Sequence, residues 1–254
     1  SFAPLEGGAR SDVVDMDRLA HDGEAIPVVA DGAMPKGKAF IDCGPPLPGY
    51  EMEIRDEQGR PLPERRCGRI HLRGPSVMSG YFGNAEATRE VLSADGWLDT
   101  GDLGYQADGT LHITGRAKDL MIIMGRNIWP QDLEHLAEQQ PEVRHTDASA
   151  FSIPDASEGE MAVLVVQCRE ADPRKLAGLA ERLQQAIHLE FGIHCLIELV
   201  PLHTLPRTSS GKLSRSTARK EFLERRSAAA PQESRRRFVG DSRRARVEAQ
   251  SAAS

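Results

Sequence analysis

The chain has 254 residues, of which 39% are apolar and 28% are charged, and its net charge is −6. This is an ordinary composition for a globular protein with one large or two small domains. No run approaches the roughly 18 consecutive apolar residues of a membrane-spanning helix, which excludes a helical membrane span. The sequence opens on SFAPLEGGAR without an initiator methionine or a charged-then-apolar leader. We therefore expect a cytoplasmic protein and a fragment of a longer one.

The cysteines and histidines do not follow the spacing of a metal site or of a disulfide framework. The cysteines are far apart and form no CxxC pair, and the histidines form no HExxH motif. We expect no metal site in this chain, and four reduced thiols: Cys43, Cys67, Cys168 and Cys195.

The first part of the chain, residues 1–40, is rich in glycine, alanine and aspartate. It shows only short apolar patterns, such as a helical turn near Met16–Leu19, and we expect an extended surface segment. From Gly49 the pattern changes to β-structure. YEMEIRDEQGRPLP predicts a strand followed by a turn at Glu57–Gly59, and the alternation in CGRIHLRG predicts a second strand.

The next predicted elements complete a β-rich unit. NAEATREVL predicts a short helix in which Asn84 caps the N-terminus. YQADGTLHITGR predicts a β-hairpin with its turn at Asp108–Gly109. We therefore interpret residues 41–118 as a β-rich unit with one short helix, which ends near Lys118–Asp119.

The pattern after this boundary alternates between strands and helices. The apolar run LMIIM predicts a short buried strand, and WPQDLEHLAEQQ predicts a helix with Pro130 at its first position. RHTDASAFSIP, EMAVLVVQCR and HCLIELV predict strands, and SRSTARKEFLERR predicts a final helix. The overall fold class is α+β, with the β-rich unit followed by a small α+β domain at residues 119–226.

The clearest helix is predicted over DPRKLAGLAERLQQAIHLEFG. Asp172 is a suitable N-cap, Pro173 takes the first helical position, and Gly192 ends the helix. One apolar stripe runs along it, formed by Leu176, Leu179, Leu183 and Ile187.

The C-terminal segment, residues 227–254, is predicted to be a disordered basic tail. Residues 225–254 contain eight arginines and three carboxylates, a net charge of +5, so the rest of the chain carries −11. Such a tail could attract an acidic carrier protein or nucleic acid, or could simply keep the chain in solution. Nucleic acid is the weaker alternative, because Phe238 is the single aromatic residue available for stacking on bases.

The stretch LPRTSSGKLSR, residues 205–215, places one lysine in a Ser/Thr/Gly-rich turn. It is not a P-loop, because Pro206 stands where the first glycine is required and Leu213 where the Mg²⁺-binding Ser or Thr is required. What remains is a loop that offers the ammonium group of Lys212. A cation aimed at developing negative charge is an effective electrostatic catalyst, whereas the alternative is an exposed lysine on a surface turn.

A second stretch, residues 95–134, offers two further candidates. Asp102 is predicted in a Thr-Gly-Asp turn, where its carboxylate could accept hydrogen bonds from two vicinal ribose hydroxyls. Arg116 follows a predicted strand and could reach the same ribose or a phosphate. Taken singly, the two residues could equally be a turn cap and a surface salt bridge.

Three motifs in this order, WLDTGDLG, TGRAKDLMIIMGRNIWPQDLE and LPRTSSGKLSR, resemble the adenylate-forming enzyme superfamily. This superfamily includes acyl-CoA synthetases, the adenylation domains of nonribosomal peptide synthetases, and luciferases. CGPPLPGYEMEIRDEQGRPLP, RGPSVMSGYFGNAEATREVL and GRNIWPQDLE are similar to the fatty acyl-AMP ligase branch. Residues 1–40 resemble the stretch around the insertion that is characteristic of that branch. The resemblance is to the C-terminal portion of such an enzyme.

The resemblance implies roles for four residues. Asp102 would bind the ribose of ATP or of acyl-AMP, and Arg116 would contribute to the same site. Asp119 would be the hinge about which the C-terminal domain rotates between half-reactions. Lys212 would be the catalytic residue that reaches the carboxylate and the α-phosphate.

The resemblance also implies domains and an activity. Residues 41–118 would be the β-rich end of the N-terminal adenylation domain, and residues 119–226 the C-terminal lid domain. The whole enzyme would convert a fatty acid and ATP, with Mg²⁺, to acyl-AMP and pyrophosphate. It would then pass the acyl group to an acyl carrier protein or to a polyketide synthase carrier domain.

ATP would bind mainly to the N-terminal portion that precedes this chain, where the family's phosphate loop lies, so the chain alone is expected to be inactive.

Two departures from the family pattern concern one region. Ile122 stands where some members have a second lysine, and Ile128-Trp129 stands where related ligases often have His-Tyr. Two alternatives remain open, a fragment of an acyl-CoA synthetase and a non-catalytic docking module of a split enzyme.

Overall fold

A four-stranded antiparallel sheet occupies the first half of the chain in the computed structural model, which describes residues 8–28, 37–155 and 159–229. Its strands lie side by side in the order in which they follow one another along the chain. The two predicted strands, the hairpin and the short helix are all confirmed, because each has local turn or capping chemistry. The elements are β3 (Glu51–Arg55), β4 (Gly68–Arg73), α2 (Ala85–Val91), β5 (Leu98–Ala107) and β6 (Thr110–Arg116).

The local signals act in this sheet as the sequence predicts. The hairpin turn has positive φ angles at both central residues, 50° at Asp108 and 73° at Gly109, as a two-residue turn of type I′ requires. Asn84 caps α2 by accepting a hydrogen bond from the Ala87 amide at 3.0 Å.

The first forty residues are more ordered than predicted. Strands β1 (Ser11–Asp15) and β2 (Gly37–Ile41) pair with each other, and α1 (Met16–Asp22) follows β1. The expectation of an extended surface segment is therefore wrong for the described part of this region, whereas residues 1–7 and 29–36 lie outside the described residues. Some of its apolar side chains are buried because they pack on distant partners, and one cluster contains Val14, Leu19, Phe40, Tyr105 and Trp129.

A second, three-stranded sheet has the order β11-β10-β9, in which β10 is antiparallel to β9 and parallel to β11. Helices cover both of its faces, which is why β10 is a nearly continuous apolar run in the sequence. The elements are α3 (Pro130–Glu138), β9 (Ala148–Asp155), β10 (Gly159–Cys168), α4 (Pro173–Phe191), β11 (Cys195–Pro201) and α5 (Arg215–Ala229). The α+β fold class is confirmed.

Side chains of β10 alternate between two cores. Leu164 and Val166 belong to the core that contains residues of α3 and α4, whereas Val163 and Val165 pack with Phe222 of α5. The caps of α4 are as predicted. Asp172 accepts a hydrogen bond from the Arg174 amide at 2.9 Å, and Gly192 has a φ of 68°.

The LMIIM segment differs from its prediction. Its strand, β7 (Met121–Ile123), pairs with a second short strand that follows it, β8 (Arg126–Ile128), so the element order after residue 119 contains one more strand than expected. Side chains alternate along β7, which leaves Ile122 57% exposed and Met124, in the turn, 60% exposed. The predicted short buried strand is therefore confirmed for Met121 and Ile123, which are buried, but not for Ile122, since an isolated two-stranded sheet buries one face only.

The end of the described chain is helical. Helix α5 continues to Ala229, so the tail predicted to start at residue 227 starts inside a helix. The rest of that tail lies outside the described residues, as does its Phe238. No helix in the described ranges has the length and apolar character needed to cross a membrane.

Candidate functional site

Asp102 and Arg116 face each other across strands β5 and β6. They are register partners, and Asp102 Oδ1 lies 3.2 Å from Arg116 Nε. The prediction of a Thr-Gly-Asp turn is wrong, because Asp102 lies within β5. The strand is bent there by Gly101, with a φ of 75°, and its pairing register shifts directly after Leu103. The bend has the character of a β-bulge, a feature that re-aims side chains.

Asp119 ends a single 3-10 turn, Ala117–Asp119, that joins β6 to the rest of the chain. Its Oδ2 atom accepts a hydrogen bond from Arg215 Nη1 at 3.0 Å. Arg215 also makes a two-pronged ion pair with Glu134 of α3, at 2.7 and 2.6 Å. The hydrogen bond with Glu134 is the main factor that raises the pKa of Arg215 above its usual value. Asp119 is thus tied to α5, and through Arg215 to α3.

The lysine loop, residues 205–215, is a closed turn. The Thr208 amide donates to Lys212 O at 2.8 Å, and the Gly211 amide donates to Thr208 O at 2.8 Å. The loop is closed at its base by a β-bridge between Arg207 and Leu213. The side chain of Lys212 is exposed and forms no ion pair with any residue in the described part of the chain. Its ammonium group is therefore available to an anion.

These residues come together around one cleft of about 770 Å³. Arg116, Asp119 and Lys212 all line it, and Asp102 joins them through its ion pair with Arg116. The structure therefore brings together all four candidates, which are separated by up to 110 residues in the sequence. The sequence analysis missed Glu134, and it did not assign Arg215 to the site. No local signal identifies these two, because their partners are distant in the chain.

The cleft has an excess of positive charge. Its lining includes the carboxylates of Asp119 and Glu160. Asp119 is already paired with Arg215. The cationic groups of the lining outnumber these carboxylates: Arg116, Lys118, Lys212, Arg215 and Arg219. Arg116 and Arg215 are already paired with Asp102 and Glu134, so Lys118, Lys212 and Arg219 supply the positive charge that would attract an anionic ligand.

Other types of chemistry have less support in the described segments. No group of three or more His, Cys, Asp or Glu side chains in them could hold a metal ion. All four cysteines are free thiols. Burial raises the pKa of Cys195 to about 12 and also raises that of Cys67, so neither is an activated nucleophile.

Comparison with known proteins identifies the family. Residues 23–82 match the family described as AMP-binding enzyme. The chain is 48% identical to a Caulobacter vibrioides protein named "Putative acyl-CoA synthetase", over 88% of the chain and 39% of that protein. It is 32% identical to the medium-chain-fatty-acid–[acyl-carrier-protein] ligase JamA of Moorena producens, over 85% of the chain and 39% of that protein.

A solved structure shows the same fold. It comes from structural and functional studies of fatty acyl-adenylate ligases from E. coli and L. pneumophila, and it superposes with a TM-score of 0.78 at 44% identity. The match covers 87% of this chain and 39% of that one, and the chain spans about two fifths of the length of the curated relatives it matches. The resemblance found in the motifs is confirmed: the chain belongs to the adenylate-forming, AMP-binding enzymes and is part of a larger enzyme of that family.

Proposed function

We propose that the complete enzyme is a fatty acyl-AMP ligase and that this chain is its C-terminal portion. The observation that carries the proposal is the shared cleft, in which Lys212, without an ion-pair partner among the described residues, lies with Arg116 and Asp119. The likenesses to JamA and to the fatty acyl-adenylate ligase structure support a fatty acid as the substrate. Residues 41–118 would close the adenylation domain, and residues 119–226 would form its lid.

In the first half-reaction, a carboxylate oxygen of the fatty acid attacks the α-phosphorus of ATP. The bond from that phosphorus to the β-phosphate oxygen breaks, and pyrophosphate leaves. The attack brings two negatively charged groups together, so a fixed cation lowers the barrier by orienting them and neutralising charge. Lys212 would supply that cation. Asp102 would hold the ribose, and Arg116 would contribute to the same site. Mg²⁺ would enter with the phosphates of ATP.

In the second half-reaction, a thiol attacks the acyl carbonyl, loses its proton, and releases AMP. The lysine must leave before the thiol can enter, which is achieved when the lid rotates about a hinge. Asp119 is bonded to Arg215 within the lid itself. Its carboxylate would therefore move with the lid, and rotation would occur about the backbone of the turn Ala117–Asp119, which Asp119 ends.

The proposed acceptor is the phosphopantetheine thiol of an acyl carrier protein or of a polyketide synthase carrier domain. This choice is supported by the likeness to JamA and by the insertion-like segment, residues 1–40. The second candidate is CoA, favoured by the higher identity to the relative named as an acyl-CoA synthetase.

One experiment separates these functions. The complete enzyme is incubated with ATP, Mg²⁺ and fatty acids, either with CoA or with a phosphopantetheinylated carrier protein, and the products are identified by mass spectrometry. We expect acyl-AMP in both reactions and acyl transfer to the carrier protein only. Acyl-CoA as the main product would favour the second candidate, and the absence of acyl-AMP would contradict both. The 254-residue chain alone should catalyse no fatty-acid-dependent exchange of pyrophosphate into ATP.

A further inference from the structure

One side chain at the base of the lysine loop, Arg207, forms hydrogen bonds both within the loop and to a distant turn. The guanidinium of Arg207 donates from Nη1 to Gly211 O at 3.0 Å, directly beside Lys212 in the chain. From Nη2 it donates to Thr146 O at 2.8 Å and to Thr146 Oγ1 at 3.2 Å. One planar group therefore joins the loop at Gly211 to a turn that is 61 residues away in sequence, a bridge that suits arginine and not lysine.

The turn that receives Arg207 is itself held in place. Thr146 has a φ of 64°, which is an outlier for a β-branched residue. Its amide donates to Glu138 Oε1 at 2.7 Å, which fixes the turn to the end of α3. Such a conformation persists only where its surroundings enforce it, so the turn is a firm support for the loop.

A buried polar pair provides the second connection. The Gln167 side-chain amide donates to Asp147 Oδ1, and Gln167 Oε1 accepts a hydrogen bond from the Leu205 amide at 3.2 Å. Both Asp147 and Gln167 are buried. The loop is therefore held at its start by the bond from the Leu205 amide and near its tip by the bond from Arg207 to Gly211 O. Both connections lead to the Thr146–Asp147 turn.

We infer that Arg207 is a positioning residue that sets where the Lys212 ammonium is presented in the cleft. This rests on the proposed function, in which Lys212 is the catalytic cation. A change of about 1 Å in the position of a catalytic group can cost on the order of 100-fold in rate. Arg207 does not line the cleft with Lys212, so its effect on the reaction must pass through the loop.

The test uses the complete enzyme and measures fatty-acid-dependent pyrophosphate exchange. Arg207→Ala should lower kcat roughly 10- to 100-fold and leave the KM values for ATP and fatty acid within about twofold. Arg207→Lys should recover part of the loss, because an ammonium group reaches one carbonyl but cannot bridge two. Arg144→Ala is the matched control, since Arg144 is an exposed arginine two residues before Thr146 with no side-chain bond to the loop, and it should keep the original kcat.

A double-mutant cycle separates positioning from an independent effect. Adding Arg207→Ala to Lys212→Ala should cause no further loss, because Arg207 acts only through the lysine. A further loss as large as the one in the wild-type background would overturn the inference. The inference would also be overturned if Arg207→Ala kept the wild-type kcat while Lys212→Ala was inactive. Normal activity of Lys212→Ala would instead contradict the proposed function, and the inference with it.

A second measurement follows the loop itself in the 254-residue chain. Hydrogen exchange of the Gly211 and Thr208 amides should become at least about tenfold faster in Arg207→Ala, while the unfolding midpoint stays nearly unchanged. Unchanged exchange at both amides would contradict the inference. If Arg207→Ala does not fold, Arg207→Lys provides both readouts.

Discussion

Removing the Glu134 carboxylate should weaken the packing around the turn Ala117–Asp119. In Glu134→Ala, Arg215 loses its two short ion-pair bonds, and the Ala150 amide loses the oxygen to which it donates at 3.0 Å. Loss of one partner from a buried ion pair costs about 3–5 kcal/mol. The side chains of Glu134 and Arg215 are 13% and 24% exposed, so water replaces part of the interaction. We therefore expect a loss of about 2–3 kcal/mol in the free energy of unfolding.

The assay is urea denaturation of the 254-residue chain, followed by circular dichroism and compared with the thermal midpoint. For a chain of this size, the expected loss corresponds to a fall of roughly 4–12 °C in the midpoint. Glu224→Ala is the control, because Glu224 pairs with Lys220 at 3.9 Å and both side chains are more than 60% exposed. Such a pair contributes less than about 1 kcal/mol. The reasoning is refuted if Glu134→Ala is no more destabilising than Glu224→Ala.

Two further predictions concern pH and backbone packing. The hydrogen bond from the Gly44 amide is the main factor that holds the pKa of Asp42 below its usual value. The stability that Asp42 contributes is therefore present above about pH 4 and is lost as the pH falls further. When the unfolding midpoint is measured as a function of pH, Asp42→Asn should lose less stability in acid than the wild type does. Parallel curves for the two proteins would contradict this. A Cβ atom on Gly104 would lie 2.5 Å from His112 O, so Gly104→Ala should cost at least about 1–3 kcal/mol. Gly178 lies in helix α4, and a Cβ atom added there would lie 3.7 Å from Arg182 Nη1, an ordinary contact distance. Gly178→Ala should therefore stabilise the chain by about 0.5–1 kcal/mol. Equal effects of the two substitutions on the free energy of unfolding would refute the packing argument.

Elements with local signals could be predicted from the sequence. Helix α4 starts at an Asp-Pro pair and ends at Gly192, and the β5–β6 turn is specified by Asp108-Gly109. These signals act within a few residues, so they do not require knowledge of the tertiary structure. The four candidate site residues were likewise proposed from short motifs.

Features that depend on distant partners could not be predicted. The segment that contains α1 has few apolar residues, and Leu19 is buried because it packs with Tyr105 and Trp129. The Glu134–Arg215–Asp119 network joins residues that are 81 and 96 positions apart. In such cases the pairing is decided by the packing of the sheets and helices, and a single sequence does not contain that information in a local pattern.

The central claim is that Lys212 is a cation delivered to the site of adenylation. Fatty-acid-dependent pyrophosphate exchange by the complete enzyme tests it directly, with Lys212→Ala compared with Lys220→Ala, a lysine of α5 that lies outside the cleft. We predict that Lys212→Ala lowers the exchange rate on the order of 10²–10³-fold, with an unchanged unfolding midpoint, and that Lys220→Ala has no effect. An exchange rate for Lys212→Ala close to that of the wild type would contradict the account.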